Sequence, residues 1–118
     1  MIMKNIQITA KFKIHSGKLE EFKKIASDCV VAVEKNEKGK GAIQYDWFFN
    51  PDETECVVRE TYADSEAVMT HMGNVGELLG QLLAMSDFEL EVYGNMSEEL
   101  QQAADALNPN VYAFFKGI

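Results

Sequence analysis

What most limits the fold open to this chain is the order in which its apolar residues change period. Ile6, Ile8, Ala10, Phe12 and Ile14 alternate with Gln7, Thr9, Lys11 and Lys13, the two-residue period of a strand covered on one face. Ser16-Gly17 ends that run. Leu19, Phe22, Ile25, Ala26, Cys29, Val30 and Val33 then recur every three or four residues, which predicts an amphipathic helix of about five turns ending between Asn36 and Gly41. Residues 42–50 and 55–62 return to strand character on either side of Asn50-Pro51-Asp52-Glu53. Pro at the second turn position suits a type I turn, so these two runs should form an antiparallel hairpin. Asp64 is placed to cap a second helix that runs to about Gly73, kinks, and resumes over residues 75–85. Residues 87–94 alternate as a fourth strand. Ser97 caps a polar helix over 98–107, Asn108-Pro109 stops it, and 110–117 reads as a fifth short strand.

The order β-α-β-β-α-β leads to an α+β, ferredoxin-like antiparallel sheet with both main helices on one face and the first strand between the third and fourth. The whole of 1–118 reads as one domain, with a core over about 6–94 and a C-terminal α-β extension over about 95–118. On the helix-free face this arrangement brings Lys11 and Lys13 near Glu89 and Glu91, with Gln7, Thr9, Arg59 and Tyr93 around them. Val57 and Tyr93 make that face too mixed for an ordinary solvent surface, so it is expected to meet the sheet of a second copy. The stretch 111–116 is apolar on both sides and hazardous as a free edge, so it is expected to pair across the homodimer.

Composition removes several functions. A net charge of −8 disfavours nucleic acid and anionic membranes, whose binding draws on Lys and Arg. No apolar run approaches the roughly 20 residues of a membrane span, and the N-terminus lacks the pattern of a signal peptide, which points to the cytoplasm. Cys29 and Cys56 form no CxxC pair and read as reduced structural thiols. Gly73, Gly76 and Gly80 follow no strand and match no nucleotide loop. His15, on the polar side of the first strand, has no companions at metal-ligand spacing, so no metal site is expected. The segments 34–40 and 97–100 read as a solvated helix exit and a helix start.

Tyr45, Trp47 and Asp52, followed by Glu60, Tyr62, Asp64, Ala67 and His71, spell Y-x-W-x4-D and E-x-Y-x-D-x-x-A-x3-H. This block resembles the centre of the antibiotic biosynthesis monooxygenase family, over roughly residues 6–94. The resemblance implies a dimeric α/β barrel and, as activity, oxygenation of a small quinol- or phenol-like aromatic by dioxygen without flavin, haem or metal. It also leaves room for a non-catalytic small-molecule-binding protein and for a haem-binding or haem-degrading one.

Within the block, His71 is first expected to pack, bonding Glu60 or a backbone carbonyl between helix and sheet, because buried polar groups find partners. Its second expected role is chemistry: histidine is the residue type suited to exchanging protons near neutral pH. His71 would take a phenolic proton, leaving an anion able to give an electron to dioxygen. Ile43, Tyr45, Trp47 and Phe49 are expected on one strand face, with Tyr45 and Trp47 holding the ring. Glu60 shares the inward series of Cys56, Val58 and Tyr62, where an acid is anomalous; it should orient His71, pair with a lysine, or act with His71 in catalysis. Tyr62 and Met72 complete the candidate substrate site, while Met69, Met72 and Met85 suit either a plastic pocket or the core. A haem role would use His71 as axial ligand, with Lys11, Lys13 and Arg59 as the available partners for its propionates.

Overall fold

The computed structural model describes residues 4–118; residues 1–3, on which the reading of the N-terminus partly rests, lie outside the described residues. β1 (Ile6–Ile14) leads into α1 (Leu19–Asn36), β2 (Ala42–Phe49), β3 (Glu55–Tyr62), α2 (Ser65–Ala84) and β4 (Ser86–Tyr93). α3 (Glu98–Ala104), a single 3-10 turn over 105–107 and β5 (Asn110–Tyr112) complete the chain. The sheet order is β2-β3-β1-β4-β5, so β1 does lie between β3 and β4, antiparallel to both.

The alternation of β1 becomes the alternation of the sheet. Ile6, Ile8, Ala10 and Phe12 are buried, and they join Phe22, Ala26, Cys29 and Val33 of α1 and Val68, Val75 and Leu82 of α2 in one core. At the hairpin, the Glu53 N–H donates to the Asn50 carbonyl at 2.9 Å, and Asn50 Oδ1 accepts from the Glu55 N–H at 2.9 Å. Asp64 caps α2, accepting from the Ala67 N–H at 2.9 Å. At Gly41, φ is +136° and an added Cβ would lie 2.8 Å from the Ala67 Cβ, so β2 can pass α2 this closely only with glycine there.

Three expectations change and one holds. α2 is one helix of 20 residues and continues unbroken through Gly73, since a lone glycine lowers helix propensity without ending a helix whose apolar face is packed. Ile43 leaves the Tyr45, Trp47 and Phe49 face: the register shifts between Ala42 and Gln44, a bulge that turns Ile43 outward to 61% exposure. On the open face Lys11 and Lys13 come near Glu89 and Glu91 as expected, Lys11 opposite Glu89, Lys13 opposite Asp87 and Glu91 opposite Thr9. The fifth strand shrinks to three residues and pairs in parallel with β4 of its own chain, so the 111–116 strand expected to pair across a dimer spends one edge internally. Phe114 and Phe115 lie beyond it, exposed.

Among the described residues no helix is long and apolar enough to cross a membrane, and no group of three or more His, Cys, Asp or Glu could hold a metal ion. His15 pairs instead with Asp87, at 3.1 Å.

Candidate functional site

An apolar cavity of about 70 Å³ lies between the sheet and α2. Phe12 and Val58 form its sheet side, Tyr45 and Trp47 enter from β2, and His71 and Met72 face it from α2. The far end is closed by Met96, Leu100, Ala104 and Leu107 of the C-terminal extension.

The polar groups on this wall are few and connected. His71, 8% exposed, is held between two buried carboxylates. Its Nδ1 lies 3.1 and 3.2 Å from the two oxygens of Glu37, and its Nε2 lies 3.5 Å from Oε1 of Glu60. An ionised carboxylate can only accept, so Glu37 selects the tautomer with the proton on Nδ1 and leaves Nε2 as the basic nitrogen. Asn74 Nδ2 donates to Glu37 at 3.1 Å and steadies it from the other side. The Tyr62 hydroxyl donates to Oε1 of Glu60 at 2.6 Å.

Burial raises the Glu60 carboxyl above its ordinary value; the Glu37 charge adds to this, while His71 and the Tyr62 hydroxyl pull the other way. Tyr45 and Tyr62 are likewise pushed up by burial and remain neutral phenols. Burial takes Cys29 up to about 11 and Cys56 to about 12, so both stay thiols, and both are free.

Of the residues singled out in the sequence, the fold brings His71, Glu60, Tyr45, Trp47 and Met72 to this cavity. Tyr62 is not one of its walls; it is fully buried beside Glu60 with its ring 5.0 Å from that of His71. Met85 is core, and Met69 packs against the core without lining the cavity. Glu37, expected at a solvated helix exit, is 3% exposed and is the second carboxylate of the site. The signal for it was present: the buried series Phe22, Ala26, Cys29, Val33 steps by three and four residues, and its next step is Glu37.

Trp47 Nε1 is buried and has no hydrogen-bond partner among the described residues. A buried donor without a partner carries a desolvation cost that an acceptor brought to it would relieve. The ring of Tyr45 stands edge-on between its neighbours, 5.7 Å from that of Trp47 and 5.1 Å from that of His71. As for haem, Lys11, Lys13 and Arg59 line the open face of the sheet and not the cavity that His71 lines, so the expected propionate partners stand apart from the expected axial ligand.

The family model for antibiotic biosynthesis monooxygenases matches residues 5–76, which span β1 through the first half of α2 and include Glu37, Trp47, Glu60 and His71. Among solved structures, MupZ from Pseudomonas fluorescens is 25% identical with a TM-score of 0.78, covering 98% of this chain and 93% of that one. A conserved protein from Methanosarcina mazei Go1 is 20% identical with a TM-score of 0.68, over 77% of this chain and 92% of its own. SnoaB from Streptomyces nogalater, a cofactor-independent oxygenase solved as the mutant N63A, is 15% identical with a TM-score of 0.64, over 80% and 94%. At those last two identities the likeness shows the fold. No curated protein sequence matches the chain.

Proposed function

This chain belongs to the antibiotic biosynthesis monooxygenase family, and from that premise we propose that it is a cofactor-independent monooxygenase of small quinol- or phenol-like aromatics. The observation that carries the reading is His71, fixed by Glu37 with its basic nitrogen toward Glu60 on the wall of an apolar cavity that Trp47, whose buried indole N–H is unpartnered among the described residues, also lines.

In the proposed reaction the substrate lies against Tyr45 and Trp47, with a substrate oxygen accepting from Trp47 Nε1. His71 removes the phenolic proton, and the Glu37 carboxylate stabilises the imidazolium that results. The phenolate gives one electron to dioxygen, and the two radicals join at a ring carbon. The hydroperoxide then loses water to leave a quinone, so that phenol and O₂ become quinone and H₂O. The four electrons come from the substrate, which is why the reading calls for no flavin, haem or metal. We place a second copy against the open sheet face, where Phe48, Val57 and Tyr93 accompany the charged residues.

Oxygen uptake by the purified protein with 1-naphthol and 1,4-dihydroxynaphthalene tests this. His71→Ala should abolish uptake while circular dichroism and mass in solution stay as in the wild type, and Glu37→Gln should lower uptake by tenfold or more. Wild-type protein that binds either compound without consuming oxygen would make this a binding protein. That alternative draws support from the same contacts, since a Glu37-His71-Glu60 chain also ties helix to sheet. A Soret shift on titration with hemin would move the reading to haem.

A further inference from the structure

We propose that residues 95–109 form a hinged lid over the cavity, with Leu100 as its plug, and that ligands enter when it opens. The inference rests on the reading of this cavity as the site of a small aromatic. At about 70 Å³, the cavity is smaller than the roughly 150 Å³ void known to admit benzene. It is far below the roughly 300–1,000 Å³ of ordinary small-molecule sites. A single aromatic ring therefore requires one wall to move.

The walls differ in how they are held. β1, at the sheet side, is bonded along its length to β3 and β4. α2 packs its 20 residues along α1 and the sheet and carries His71. The segment 95–109 is a crossover between two parallel strands whose flanks are both held in the sheet, Tyr93 pairing with Tyr112, Asn110 with Glu91, and the Gly94 N–H donating to the Tyr112 carbonyl at 2.8 Å. It can swing without disturbing the sheet.

The chain leaves β4 through Gly94 at φ +131° and returns through Asn108 at φ +50°, two sharp backbone turns at the positions where a lid would pivot. Between them only seven residues are α-helical, and Glu98, Glu99, Gln101 and Gln102 face solvent. What holds the segment down is Leu100, 1% exposed, with buried Ala104 and half-buried Met96 and Leu107 beside it, and one hydrogen bond from the Ser97 N–H to Ser65 Oγ at 2.9 Å. A seven-residue helix held by so small an apolar face belongs to the low-stability end of a fold.

Cys29 reports access, because it lines the cavity and is otherwise buried, whereas Cys56 is buried away from it. In the double variant Ser65→Cys, Ser97→Cys, oxidation should clamp the lid to α2. Alkylation of Cys29 by iodoacetamide, followed by peptide mass spectrometry, should then be at least tenfold slower than in the wild type, with Cys56 unchanged. Equal rates at Cys29 would overturn the lid. Should the introduced thiols fail to join, hydrogen exchange of the wild type decides: amides of 100–104 should exchange at least tenfold faster than those of α2 around His71, and equal protection would overturn it. A clamp that slows Cys29 labelling in a protein that binds neither 1-naphthol nor 1,4-dihydroxynaphthalene would support the lid and remove the monooxygenase reading.

Discussion

The two faces of the sheet are made from alternate residues of the same strands, yet they spend those residues differently. On the helix side Phe12 is 1% exposed and sits between Phe22 at 5.4 Å and Phe88 at 5.0 Å, and the acids and histidine there are bonded to one another. On the other side Lys11 reaches Glu55 at 3.7 Å with both side chains partly in solvent, and Tyr93 donates to Glu91 in the open. The difference shows that a period-two pattern assigns faces reliably but says nothing of which polar residues the covered face will hold, because pairing can outweigh the cost of burial.

The contrast is most strongly tested by truncation on the covered side. Phe12→Ala should lower the free energy of unfolding by about 3–5 kcal/mol, since it removes a ring packed on two neighbours at the edge of an existing cavity. Urea denaturation of the folded variant measures this. A loss under about 1 kcal/mol would mean that the cavity collapses to fill the space, and the two faces would then be energetically alike.

The carboxylate inside gives the next effect, through pH. Burial raises Glu60 above its unfolded value, so the native state holds a proton that the unfolded chain has already released. Stability is therefore highest below the ordinary carboxylate range with respect to this group, and falls as pH rises through that range toward the raised native value. Glu60→Gln keeps an oxygen to accept from Tyr62 and removes the titration, so its urea midpoint should fall less steeply than that of the wild type as pH is raised from about 4 through the region above it. Parallel profiles would show that the charges of His71 and the Tyr62 hydrogen bond cancel burial. In that case Glu60 would behave like an acid of the open face.

How much of this could be read from the sequence follows the same division. The strands, their order and the inward placement of Glu60 follow from alternation and from turn chemistry at Asn50–Glu53 and Asp64. Ile43 was misplaced because a single extra residue in β2 shifts the pairing, and nothing in AIQYDW marks where the bulge falls. The break expected at Gly73 weighed local propensity over the packed face of α2. Glu37 was missed for a different reason: it sits one residue past α1, where composition says solvent, although the helical spacing had already pointed it inward. The lid was out of reach, since the spacing of Met96, Leu100, Ala104 and Leu107 marks a packed helix face but says nothing of whether that face can lift.

The smallest effect on the chain itself is expected on the open face, and it is also the one that could dissolve the comparison. Val57 pairs across the sheet with Lys11 on one side and Phe48 on the other, where Phe48 is 54% exposed. Val57→Asp should cost an isolated chain within about 1 kcal/mol, the span of strand preferences at a site with little packing. If a second copy covers this face, the same substitution puts an unpaired carboxylate against an apolar neighbour, and the assembly should break even though the fold survives. Light scattering distinguishes the two: a dimer mass for the wild type and a monomer mass for a folded Val57→Asp would show that the open face is open only within one chain. A wild type that stays monomeric at high concentration would leave Phe48 and Tyr93 in water and remove the second copy from the proposed function.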